Sequence, residues 1–398
     1  MGLGGALYSG VSGIRAHQNM LDVIGNNLAN INTYGYKSSR LLFSDLLSQN
    51  MSNGNSGNPM QVGKGVKIGS ISSNFSQGTL ETTNNALDFA IQGEGFFVVS
   101  GGDKNFFTRV GAFDTDADNF LIDSNTGYKV VDTTGSAITI PYDSTVSGKA
   151  TSTASLTGNL DASAASGATH TTSVDVYDSL GIKHTVSLIF TKQGDNTWEA
   201  NASMASTDGE ISTSKISGIT FNGDGTFKAS GGTTLAFKFS GTSDTQSVIF
   251  NLGTSGGSDG LTQYGGNSTA AATSQDGYES GTFDSISVDS GGSITALYTN
   301  GITQPVATLK IALFNNLNGL SKQGNNLYAQ TSASGEPIYV TAGSGSAGSI
   351  SSGYLEGSNV DMATELTSLI IAQRGFQLNT KVITTADEVL SDIVNLKR

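Results

Sequence analysis

The two ends of this chain carry apolar rows at sevenfold spacing, and that constrains the fold more than anything between them. Near the N-terminus Leu7, Ile14, Leu21 and Leu28 recur every seven residues, with Leu3, Gly10, His17, Ile24 and Ile31 on a companion row. At the other end Leu369, Phe376, Ile383 and Leu390 repeat at the same interval, and Ala372, Asn379, Ala386 and Ile393 follow three residues on. A seven-residue period winds one helix against another. It also fits ordinary amphipathic helices resting on a globular core. The glycines favour the coil: Gly2, Gly4, Gly5, Gly10, Gly13 and Gly25 each cost the N-terminal helix about 1 kcal/mol relative to alanine. Burying the seam of one such pair falls short of the entropy lost in ordering its backbone. The ends are therefore expected to order by packing against copies of the chain. The subunit contacts run through Leu7, Ile14, Leu21, Ile24, Leu28, Ile31, Leu369, Phe376, Ile383, Leu390 and Ile393.

Between the ends the chain reads as strand. Only 36% of its 398 residues are hydrophobic and 52 are glycine, a composition for thin β modules with many turns. Val174 and Val176 alternate with polar residues, DSLG turns the chain, and Val186, Leu188 and Phe190 alternate again, predicting a half-buried hairpin. QGDN then turns toward Trp198. A second hairpin turns at Asn300 and Gly301, whose dipeptide supplies positive φ angles, and sends Leu309, Ile311 and Leu313 inward. Residues 50 to 65 are rich in Gly, Ser and Asn and predict an extended or mobile connector. Similar runs near 148 to 158 and 265 to 277 flank a hairpin-rich block that reads as an insertion within another β domain.

Charge and chemistry narrow the function by exclusion. A net charge of −13 and a pI near 4.5 argue against a nucleic-acid partner, which requires clustered Lys and Arg. No cysteine means no disulfide framework, thiolate metal site or cysteine nucleophile. The N-terminus lacks a basic region ahead of an apolar core, and no run is long enough to span a bilayer, so we expect neither a cleaved signal nor membrane insertion. His17, His170 and His184 lack convergent spacing for zinc, and no G-x-S-x-G elbow appears. Asp114, Asp116 and Asp118 imitate the start of a calcium loop, but Asn119 stands where the turn requires Gly and Asn125 where a bidentate Glu belongs. A hairpin turn between Phe113 and Phe120 is expected instead. GEG at 93–95 leads into a strand rather than a helix, unlike a phosphate-binding loop. No enzyme activity and no cofactor are expected.

Three long motifs resemble one family. LDVIGNNLANINTYGYKSS at 21–39, FSQGTLETTNNALDFAIQGEGFFVV at 75–99 with FTRVGAF at 107–113, and SNVDMATELTSLIIAQRGFQLNTKVITTADEVL at 358–390 are similar, in order, to the signatures of the bacterial flagellar rod and hook proteins. The matching positions include Asn26, Asn27, Asn30, Gly35, Gly78, Gly93, Gly95, Phe96, Phe97, Arg109, Gly111, Gln373 and Arg374. Rod members lack a large inserted outer domain, whereas this chain devotes residues near 150 to 275 to one, so the resemblance points to the hook-type members.

The resemblance implies a multidomain α+β fold: a terminal α-helical coiled-coil domain plus two mainly antiparallel β domains, nested so that both ends of the chain share the inner ones. Its boundaries are 1–34 with 359–398 for the inner helical domain, 35–70 for a linker, 71–148 with 276–358 for the middle β domain, and 149–275 for the inserted outer β domain. It further implies a subunit of the curved hook that polymerises with itself, transmits torque and lies outside the cell. Its partners would be the distal rod protein, the hook cap protein, the hook-filament junction protein and the flagellar export apparatus. The alternatives are a distal rod protein of the same family and, outside it, a β-rich secreted adhesin.

Overall fold

The computed structural model describes residues 3–46, 48–50, 61–102 and 104–396. The chain divides into two units, one of Met1–Pro141, Ile286–Ala296 and Pro305–Arg398, the other of Tyr142–Ser285 and Leu297–Gln304.

In the first unit the ends form two long helices, α1 (Leu3–Ala29) and α2 (Met362–Leu396). They run antiparallel, with Gly10 against Ile383, Gly13 against Asn379 and His17 against Gly375. A Cβ at Gly13 or Gly375 would collide with the facing side chain, so the glycines that weaken each helix alone allow the pair to approach closely. Asp361 caps α2, its carboxylate accepting the N–H of Thr364 at 2.6 Å. After α1 the chain turns at Gly35 (φ +66°). Ser39–Asp45 then pairs antiparallel with Val66–Ser73 across a bulge at Leu42 and Phe43. Of the connector predicted across 50 to 65, residues 51–60 lie outside the described residues, and the chain on either side of them is a β ladder, Gln49–Asn50 opposite Gln61–Val62.

The rest of this unit interleaves strands from both halves of the sequence. Leu80–Thr82 pairs with Tyr354–Glu356, Phe89–Gln92 with Ser349–Ser352, and Phe97 lies opposite Ile311. Their core gathers Phe96, Val98, Phe107, Phe314 and Tyr328, with Phe107 edge-on to Phe314 at 4.8 Å. Leu309 and Ile311 are fully buried and Leu313 half-buried. Ala312 is buried too, because both faces of the strand Lys310–Leu313 are covered. Phe113–Thr115 and Leu121–Asp123 form the expected hairpin, turning at Asn119 (φ +64°), where the Asp116 carboxylate accepts the N–H groups of Asp118 and Phe120.

The second unit is built on two sheets around one core. One sheet orders Gly209–Thr213, Thr234–Phe239, Gln246–Asn251, Thr153–Asn159 and Leu261–Thr262, with Ala271–Gln275 also on Thr153–Asn159. The other runs Thr169–Tyr177, Lys183–Gly194, Thr197–Ser203, Lys215–Phe221 and Phe227–Ala229. The predicted hairpin is its first pair, in the register Val174↔Val186, and the alternating Val174, Val176, Val186, Leu188 and Phe190 enter the core. Leu188, Phe190, Trp198, Phe237 and Phe250 are all buried there.

The turn at Asn300 and Gly301 differs from its prediction. Only Gly301 takes a positive φ (+77°). Asn300 acts through its side chain instead, with Oδ1 accepting the N–H of Ile302 and Nδ2 donating to the Glu279 carbonyl.

Because one core serves both sheets of the second unit, Leu188→Ala is expected to destabilise it by about 2–5 kcal/mol. Urea unfolding followed by the fluorescence of Trp198, the sole tryptophan, measures this, and an unchanged midpoint would contradict the shared core.

Candidate functional site

Several of the signature residues converge on a group absent from the predicted set, Glu356. Its strand, Tyr354–Glu356, brings the carboxylate to the interior just ahead of α2, where its side chain is 0% exposed. Oε1 accepts the Lys37 ammonium at 2.6 Å and the N–H of Gly78 at 2.8 Å, and Oε2 accepts Arg109 Nη1 at 3.3 Å. The Glu356 backbone carbonyl takes the N–H of Gly35 at 2.7 Å. Arg109 also donates to the carbonyls of Gly93 and Ile91, and its guanidinium lies 5.4 Å over the ring of Phe96. Lys37 also donates to the Ser76 carbonyl. Burial outweighs the pull of the carboxylate and lowers both the Lys37 amine and the Arg109 guanidinium from their ordinary values. Gly95 packs against Ile311, Phe97 meets Phe113 edge-on, and the Gly111 carbonyl accepts the N–H of Phe89.

The asparagines at the end of α1 divide their work. Asn26 donates to the Tyr36 hydroxyl and Asn30 to the Asn26 carbonyl. Asn27 is buried, linking α1 to Ser39 and to Glu365 of α2. At Asn27 an amide, not an apolar group, fills the space between the helices.

Within the chain, α1 and α2 meet along their companion rows. Gly10, Ala16, Ile24 and Asn27 are buried on α1, and Ala372 and Ala386 on α2. Leu7, Ile14, Leu21, Leu28, Ile31, Leu369 and Ile383 lie half-buried along the flanks, while Phe376, Leu390 and Ile393 are exposed. Beside them Ile371, Leu378, Val382 and Val389 form a further exposed row on α2, and Leu378 reaches 68% exposure. Gln373 and Arg374 face solvent, Arg374 bonding Gln377 one turn on. Runs of large apolar side chains open to water mark a contact surface.

The histidines do not converge. His17 lies in the helix interface, His170 bonds the Ala270 carbonyl, and His184 stacks on Phe239 at 4.2 Å beside Asp178. Among the described residues no three acidic or histidine side chains are placed to hold a metal ion, and no helix is long and apolar enough to cross a membrane.

Four family models match the chain: Flagella basal body rod protein over residues 7–37, Flagellar hook protein FlgE/F/G D1 domain over 90–155, Flagellar basal body protein FlaE D2 domain over 141–278, and Flagellar basal body rod FlgEFG protein C-terminal over 351–396. The Flagellar hook protein FlgE of Treponema pallidum is 34% identical, covering 99% of both chains, and that of Escherichia coli is 33% identical, covering 98% of this chain and 100% of the other. This chain belongs to the flagellar hook protein FlgE family. The fold has a solved neighbour in the crystal structure of Helicobacter pylori flagellar hook protein FlgE2, with a TM-score of 0.54 at 16% identity over 69% of this chain and 100% of that one. In FlgE terms, the first and last models cover most of α1, the turn beyond it and α2, and the last also takes in Glu356.

Removing the Glu356 charge strands two buried cations. Glu356→Gln is expected to cost about 3–5 kcal/mol, read from urea unfolding of the monomer. A loss below about 1 kcal/mol, the range of a solvent-exposed pair, would contradict the buried pairing.

Proposed function

We propose that this chain polymerises into the flagellar hook, the curved tube that joins the basal-body rod to the filament and transmits torque while bending. The carrying observation is full-length kinship with proteins named flagellar hook protein FlgE, joined to terminal helices that hold rows of large apolar side chains open to solvent. Helices of this kind are completed by copies of themselves.

In this reading residues 1–34 and 359–398 form the inner wall, 35–70 link it outward, 71–148 with 276–358 make the middle layer, and 149–275 the outer one. The inner rows at Leu7, Ile14, Leu21, Ile24, Leu28, Ile31, Leu369, Phe376, Ile383, Leu390 and Ile393 hold the wall together, while outer domains rich in small polar residues slide past each other. Such contacts suit sliding, since each is weak and replaceable by water. The partners are further copies of the chain, then the distal rod protein, the cap protein, the hook-filament junction protein and the export apparatus that delivers the chain outside the cell with no signal cleaved.

A distal rod subunit is the competing reading, because both terminal models carry rod-protein names. Electron microscopy separates the two: a hook subunit assembles into curved tubes and a rod subunit into straight ones. Ile393→Asp and Leu378→Asp alter side chains that are 50% and 68% exposed, so the monomer keeps its circular dichroism. Each forfeits about 1.5–3 kcal/mol of burial per contact and abolishes tube formation in sedimentation. Normal tubes from both variants would remove the helical rows from the interface.

A further inference from the structure

We propose that the exposed row on the C-terminal half of α2 docks into a groove between α1 and the ladder Val66–Ser73 of a second copy, with Glu388 and Asp392 of one copy meeting Arg15 and Lys67 of the next. The tube that results rests on the hook-subunit reading; the contact between two copies does not.

Tyr8, Val11 and Arg15 share one side of α1 at helical spacing, and it is not the side that meets α2, which carries Gly10, Gly13 and His17. Val66, Lys67 and Ile68 stand opposite them across an open groove of about 340 Å³. The strand is fixed to the helix: Ser12 Oγ accepts the Val66 N–H at 3.2 Å, and a Cβ at Gly65 (φ +97°) would strike the Ser12 hydroxyl. Tyr8, Val11 and Ile68 give the groove an apolar lining open to water. Arg15 and Lys67 are exposed beside it, and the ion pairs of the described residues all lie elsewhere. With Lys64 next to Gly65 and Asp45 opposite Val66, three cations stand against one carboxylate.

The complementary surface is on α2. Leu378, Val382 and Val389 run down one exposed face. Glu388 and Asp392 border them on the side away from Ala372, Asn379 and Ala386, which face α1. Arg374 and Lys381 occupy that border on earlier turns, so the acidic edge is confined to the end of the helix and sets which part of the row docks. Opposite charges beside matched apolar surfaces steer the encounter and fix its direction.

The groove lies on the side of α1 away from its own α2, so the row that fills it belongs to another copy. Row and groove are unlike surfaces, and a contact between unlike surfaces repeats from copy to copy, building an open helical polymer wherever the rotation does not close. Each docking also packs both helices from outside, which suits helices that order on assembly.

The test reverses charge on each surface in the full chain. One variant carries Arg15→Glu with Lys67→Glu, a second Glu388→Lys with Asp392→Lys, and a third all four changes. Every substituted position is exposed, so each monomer is expected to keep its circular dichroism. Sedimentation reads assembly and electron microscopy its shape. The first and second variants alone set like charges together, raising the concentration needed for assembly about tenfold or more. Mixed in equal amounts they recover the unsubstituted value, since each groove then meets an opposite row on the other variant. The third variant recovers it alone. Unchanged assembly of the first or second variant overturns the proposal. So does a mixture that stays defective while the third variant recovers, which would put the pairing inside one copy. If the unsubstituted chain builds straight tubes or short oligomers with this charge pattern, the hook reading fails and the docking stands. Curved tubes from every variant alone keep the hook reading and remove the docking, and no assembly by the unsubstituted chain overturns both.

Discussion

The carboxylate of Glu356 is the contact on which the first unit depends. A buried ion is tolerated only when its charge and lone pairs are answered, and here Lys37, Arg109 and the Gly78 amide answer them. Those partners come from three separate stretches of sequence, and the strand that carries Glu356 runs directly into α2. The segment leaving α1, the central sheet and the approach to α2 are thereby joined at one point. Removing Glu356 leaves two buried cations without their counter-charge, whereas removing either cation leaves the carboxylate with the other and the Gly78 amide.

Such a clamp is needed because the helices cannot anchor themselves. Their mutual interface seats Ile383, Asn379 and His17 against Gly10, Gly13 and Gly375 and buries Ala16, Ile24, Ala372 and Ala386 in a narrow strip, while Phe376, Leu378, Leu390 and Ile393 look outward. The second unit has the opposite economy: alternate residues of two sheets fill a single apolar core. On the proposed reading, stability and assembly fall to different parts of the chain: the β cores are complete in one copy, and the exposed helical rows are left for further copies to cover.

Local patterns were legible in the sequence and distant pairings were not. The period of seven located both helices, alternation at Val174–Val176 and Val186–Phe190 located a hairpin with its inward face, and DTDADN was readable as a turn. The same heptads did not say which row would face inside the chain. Size favoured the leucines, but Gly10, Ala16 and Ala372 won because small residues let backbones come together. Asn27 was legible as a position matching the family signature but not as a contact, since nothing in sequence reveals that one amide can meet four partners at once. Glu356 lies 319 positions from Lys37 and 247 from Arg109, separations that carry no periodic signal. The trace it left was indirect: Gly35, Gly78, Gly93 and Arg109 belong to motifs far apart in the chain, and they meet around it.

The division between a completed clamp and uncompleted helices is tested most directly by amide hydrogen exchange on the monomer and on the assembled tube. The account predicts that Leu80–Thr82 and Tyr354–Glu356 are protected in both states, while the α2 segment from Phe376 to Asn395 exchanges rapidly in the monomer and is protected only in the tube. Equal protection of that segment in both states, or rapid exchange of the strands around Glu356 in the monomer, would contradict it.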